Sequence, residues 1–118
     1  MNSDQLAHRL QQFALNTIRL SRNFQYFPDM PLLRKQLIKA VTSAAANYRA
    51  ARCGRSRKEW YAKLCIATEE MDEGLFWLEC ARQLEYLPKE EILWIENEAK
   101  VLTKILTKMR SSAKQKGI

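Results

Sequence analysis

Five cations fall within ten residues of this chain: Arg49, Arg52, Arg55, Arg57 and Lys58, on either side of Gly54. A guanidinium is a planar fork that matches phosphate oxygens, and each phosphate neutralised on a polyanion releases counterions. The run therefore suits the backbone of RNA or DNA. It suits equally a solvated basic loop, or one paired to the acidic face of a neighbouring subunit. Lys100, Lys104 and Lys108 make a second cationic stripe at helical spacing. That stripe extends the same footprint or, since Glu96 stands four residues before Lys100, serves as ordinary charged surface. Neither series reads bases, because no basic helix-turn-helix signature, aromatic RNA-binding motif or zinc-finger spacing accompanies it. Binding through them is expected to follow shape and charge and to weaken steeply with salt.

Other chemistries lack their parts. His8 is the only histidine, which removes a His-rich metal site and a Ser-His-Asp arrangement and leaves His8 as a solvated helix residue. Cys53, Cys65 and Cys80 are odd in number and lack CxxC spacing, so they read as reduced packing residues. The acids Glu69, Glu70, Asp72, Glu73 and Glu79 match a di-metal carboxylate bundle in number only, since such a site needs Glu-x-x-His on two helices. At least one of them is expected to make a polar contact inside a bundle or across an interface. Ser43 and the cysteines have no base partner. The expectation is a protein that is not an enzyme and carries no metal or cofactor.

The elements that must carry these cations are helical. A chain of 118 residues with 47% hydrophobic content holds one core, read here as a single domain over 1–118. Three glycines and three prolines are few, and the Ala, Leu, Lys, Arg and Glu content favours helix. No stretch approaches the roughly 20 apolar residues of a membrane span, and Met1-Asn2-Ser3-Asp4 does not begin a signal peptide, so a cytoplasmic protein without a membrane partner is expected. Charge comes in blocks. Residues 1–58 carry eleven Lys/Arg against Asp4 and Asp29, residues 59–98 three against eleven acids, and residues 99–118 six against none. Such blocks suit complementarity between helices or subunits, with a basic excess left for a polyanion.

Apolar spacing places helices at 5–22, 31–52, 57–85 and 89–113, followed by a basic C-terminal tail, Ser111 to Ile118, expected to fray. Ser3 or Asp4 caps the first helix, and Leu6, Leu10, Phe13, Ala14, Thr17 and Ile18 form its stripe. The connector Asn23 to Asp29, with Phe24, Tyr26 and Phe27, closes the bundle end or stacks on bases. Asp29-Met30-Pro31 starts the second helix with an acidic cap and a first-turn proline. Its small residues Ala40 to Ala46 allow close approach of a neighbour, and Gly54 is expected to end it in a left-handed conformation. Ser56-Arg57-Lys58-Glu59 fits a capping box at the start of the third.

The last two helices each show two seams. Trp60, Leu64, Ala67, Met71, Leu75 and Leu78 share one face of the third, while Ile66, Trp77 and Leu84 lie on another. In the fourth, Ile92, Ile95, Ala99, Leu102, Leu106 and Met109 repeat with a heptad-like period, and Trp94, Val101 and Ile105 lie about 110° away. A four-helix bundle uses one stripe per helix, so the second seams either thicken the core or are covered by another copy in a homo-oligomer.

Three segments carry a family resemblance. Gln36-Leu37, Lys39-Ala40-Val41-Thr42-Ser43 and Ala46-Asn47-Tyr48-Arg49 are followed by Arg55-Ser56 with Glu59-Trp60. Then come Ile66-Ala67, Glu70-x-Asp72-Glu73 and Trp77-Leu78-Glu79. Together they resemble the four-helix-bundle family of ribosomal-RNA intervening-sequence proteins, which has distant relatives acting as accessory variability determinants in diversity-generating retroelements. The chain departs from the family pattern at Ile38-Lys39, where two basic residues are common, and at Ala50, where an acid is common. The resemblance implies an all-α, up-and-down four-helix bundle assembled into a homopentameric ring with basic surfaces. It implies nucleic acid and, from the retroelement branch, a reverse transcriptase as partners, and no known enzymatic activity. The alternative is a protein-interaction scaffold whose charged faces serve subunit or partner-protein contacts only.

Overall fold

A computed structural model describes residues 1–117 and contains four helices: α1 (Ser3–Ser21), α2 (Met30–Arg52), α3 (Arg57–Gln83) and α4 (Lys89–Gln115). Helices adjacent in the chain pack together, and α1 also meets α4, closing an antiparallel square. Ser3 of α1 reaches Tyr48 near the end of α2, and Arg82 near the end of α3 reaches Glu96 near the start of α4, which fixes the alternating directions. The bundle measures 46 × 22 × 21 Å. Among the described residues there is no strand, and no helix is long and apolar enough to cross a membrane.

The predicted stripes form the core. Leu6, Leu10, Phe13, Leu37, Val41, Leu64, Met71, Leu78, Ile92, Ile95, Leu102 and Leu106 are buried together. Thr17 and Thr68 are buried too, their hydroxyls donating to the carbonyls of Phe13 and Leu64 at 2.8 Å, so neither adds an unsatisfied group. The close approach expected of α2 occurs at Gly74 of α3, where an added Cβ would lie 3.0 Å from Val41 Cγ1. The connector closes the bundle end: Phe24 and Phe27 pack on Tyr86 with ring centroids 5.5 and 5.8 Å away, while Tyr26 points to solvent.

Several helix ends differ from expectation. Asn2, not Ser3 or Asp4, caps α1, through a reciprocal capping box with Gln5. Asp29 precedes α2 but makes no side-chain cap bond, because its carboxylate accepts a hydrogen bond from the Tyr86 hydroxyl. Gly54 does not take the left-handed conformation; α2 ends at Arg52 with Cys53 as its C-cap, and a Cβ on Gly54 would lie 3.1 Å from the Ala51 carbonyl oxygen and the Trp60 amide. Close approach, and not a positive φ, is what Gly54 supplies. Ser56 does cap α3, accepting from the Glu59 amide at 3.0 Å, but the Glu59 carboxylate turns to Arg55 instead of completing the box. α3 stops at Gln83, two residues early, and Glu85 takes the positive φ that turns the chain. α4 runs on to Gln115 through the segment expected to fray, because Ala113 is buried and anchors another turn; Ile118 lies outside the described residues.

Candidate nucleic-acid interface

Chain direction collects positive charge at one end of the bundle. The C-terminal turns of α2 and α4 and the N-terminal turn of α3 meet there, bringing Arg49, Arg52, Arg55, Arg57 and Lys58 to the same end as Lys108 and Lys116. At the C-terminal ends of α2 and α4 the cations also face the negative ends of the helix dipoles, which stabilises them.

The run around Gly54 nevertheless divides into two parts. Arg49 and Arg52 lie along the groove between α1 and α2, a space of about 550 Å³ floored by Ala7, Ala14, Ala45 and Ala46 and edged by exposed His8. Arg52 is ion-paired with Asp4. Arg55 is almost fully exposed with Glu59 at 3.8 Å, and Lys58 is exposed. Arg57 lies over the Trp60 ring, 5.3 Å from its centroid. With Lys108 and Lys116, these two residues line a second groove of about 450 Å³, whose remaining walls are Ile105, Met109, Ser112 and Ala113. Trp60 is half-buried and packs against the core as its stripe predicts, and it lines this groove as well, which spacing does not show; Lys116 falls in the segment expected to fray. Lys108, Ser112 and Lys116 recur every four residues, and that spacing identifies the wall once α4 is extended.

The lysine stripe of α4 also divides. Lys100 is 3.8 Å from Glu96, the pair anticipated by spacing. Lys104 and Lys108 line a shallow depression with Thr103, Thr107, Ser111, Ser112 and Gln115. Among the described residues, Arg57, Lys58, Lys104 and Lys108 have no acidic side chain within 4 Å.

Of the six residues expected to face another subunit, Ile66, Leu84, Trp94 and Val101 are exposed, Trp94 by 52%. Trp77 and Ile105 are half-buried and pack against this chain's own core. Trp77 also donates to Glu73 at 3.3 Å and meets Phe76 edge-on at 4.9 Å. Phe76 is 54% exposed and belongs with the apolar surface of α3, although it lies outside both seams read from the sequence.

The acid inside the bundle is not one of the five on α3. It is Glu96 of α4, fully buried, accepting from Arg82 at 2.8 Å, while Glu98 accepts from Nε and Nη2 of Arg9, each at 2.7 Å. The Arg9 guanidinium is raised above its ordinary pKa by that hydrogen bond. Tyr86 is pushed up to about 12, first by burial and then by the Asp29 carboxylate it donates to. Of the cysteines, Cys80 packs against the core and burial raises its thiol, Cys65 is half-buried, and Cys53 is exposed at the end of α2, not packed as expected.

The sequence pattern of a family described as "23S rRNA-intervening sequence protein" matches residues 4–108. A solved structure of a protein with unknown function from the S23 ribosomal protein family of Bacteroides thetaiotaomicron VPI-5482 superposes with a TM-score of 0.82 at 26% identity, covering 94% of this chain and 99% of that one. No curated protein matches the chain.

Proposed function

The chain belongs to the 23S rRNA-intervening sequence protein family, and on that premise we propose that it is a non-enzymatic, cytoplasmic protein that binds the phosphate backbone of nucleic acid, RNA before DNA, through the cationic end of its bundle. The observation that carries this reading is the convergence of Arg57, next to exposed Lys58, with Lys108 and Lys116 from the far end of the sequence. No base-specific contact is needed, since unneutralised cations on a rigid scaffold attract any polyanion. The exposed apolar residues Ile66, Phe76, Leu84, Trp94 and Val101 support assembly into a homo-oligomer, for which we favour the pentameric ring. A ring would repeat the cationic end and raise affinity by avidity. By resemblance to the retroelement branch, a reverse transcriptase is the protein partner this reading adds.

Anisotropy titration of generic duplex RNA at two salt concentrations tests it. About four phosphate contacts per subunit would lose roughly 100-fold in affinity between 50 and 200 mM salt. Replacing Arg55, Arg57 and Lys58 by alanine should flatten the log–log slope by roughly 3. Unchanged affinity and slope in that variant would remove the cationic end from binding. Light scattering tests the assembly, and a well-folded monomer at high concentration would refute it.

A scaffold role is favoured by a different observation: Arg52, Arg55 and Lys100 already have acidic partners within the chain. Under that reading the RNA titration shows no binding at either salt.

A further inference from the structure

The groove between the start of α3 and the end of α4 is more than a patch of charge. Its walls are apolar at Trp60, Ile105, Met109 and Ala113, and cations enter it from Arg57 on one helix and Lys108 and Lys116 on the other. A duplex backbone passing over the bundle end would use the cations and gain nothing from the apolar wall. An unpaired nucleotide uses both, since every base has a π-face that stacks on an aromatic side chain whatever its identity, while its phosphate needs positive charge a few ångströms away. The Arg57 guanidinium already covers the Trp60 ring at 5.3 Å. A guanidinium held over the ring at this distance shows that one indole face is turned toward a planar, charged partner at the groove. The contact is a weak one at an exposed site, so a base can take the place while Arg57 turns to the phosphate.

We propose that this groove holds one unpaired nucleotide of the bound strand, its base against Trp60 and its phosphate among Arg57, Lys108 and Lys116. The site rests on the cationic end being a nucleic-acid interface, and it adds a preference for single-stranded or frayed segments over continuous duplex. It also gives Ile105 and Met109 a role as the wall facing the base.

The test compares three fluorescent RNA hairpins against the full-length protein at one fixed salt concentration. One is blunt, one carries a three-nucleotide single-stranded extension, and one carries the same extension with abasic nucleotides. The base-bearing extension should bind about tenfold tighter than the abasic one, within the range of one base stacked on an aromatic residue. Trp60→Phe should keep most of this gain, and Trp60→Ala should abolish it, so that the base-bearing and abasic extensions then bind equally. The abasic comparison needs no variant, so it stands even if Trp60→Ala fails to fold. Equal affinity for all three hairpins, or for the base-bearing and abasic extensions, overturns the nucleotide site and leaves the backbone reading intact. Failure of every hairpin to bind overturns both.

Discussion

Replacing Arg82 by methionine should destabilise the fold by about 2–3 kcal/mol, a value that follows from what it leaves behind. Glu96 has 1% of its side chain exposed, and Arg82 Nε donates to its Oε1 at 2.8 Å. Removing one partner of a buried pair costs about 3–5 kcal/mol, because the surviving charge is left in a medium that cannot solvate it. Two features bring this case to or below the bottom of that range. Arg82 is itself 26% exposed, which admits some water, and Lys100 Nζ lies 3.8 Å from the other Glu96 oxygen. The double variant Arg82→Met, Glu96→Met removes the stranded acid and should recover to within about 1 kcal/mol of the parent. Urea unfolding at one fixed protein concentration, needed because assembly would couple to stability, reads both numbers. With a slope of about 2 kcal/mol per molar, the single variant's midpoint should fall by roughly 1 M or more. A loss below about 0.5 kcal/mol in the single variant, or a double variant no better than the single, would refute the claim that Glu96 depends on Arg82.

Two further outcomes follow from other contacts. The Tyr86 phenol ionises in the unfolded chain from its ordinary pKa of 10 but is held up to about 12 when folded, so its contribution is whole below pH 10 and is lost as pH rises toward 12. Tyr86→Phe should cost about 1 kcal/mol at neutral pH and flatten the fall in urea midpoint between pH 10 and 12; an unchanged alkaline fall would assign it to other groups. At Gly74, a Cβ would lie 3.0 Å from Val41 Cγ1 and 3.9 Å from Ala40 Cβ. Alanine there trades a helix-propensity gain of about 1 kcal/mol against that squeeze and should be near neutral, whereas leucine should cost about 3 kcal/mol in thermal or urea unfolding. Equal stability for the two variants would show that α2 and α3 can separate there.

Much of the architecture was legible because helical period and burial report the same thing. Leu6, Leu10, Phe13 and Thr17 recur as one stripe and are buried as one stripe. Ser56 is a cap in sequence and in space, since a cap depends only on residues within one turn. Asp29 shows where this stops: it has a cap's sequence position, but Tyr86, 57 residues away, takes its carboxylate. Ala113 shows the same limit, because a helix end that looks polar and basic extends when a single methyl finds a buried site. Phe76 escaped the two-seam reading because a seam drawn on one helix does not say which neighbours will cover it.

The sequence alone determined the four helices, their alternating order and the cluster of cations around Gly54, since each depends on local spacing and on short connections that force neighbours antiparallel. Only the tertiary structure decided which cations are free. It paired Arg52 with Asp4 from the first turn of α1, buried Glu96 under Arg82, and set Lys108 and Lys116 beside Arg57 and Trp60. Those partners are separated by 14 to 59 residues of chain, and pairing at such separations is set by how helices pack, which no local pattern of residues encodes.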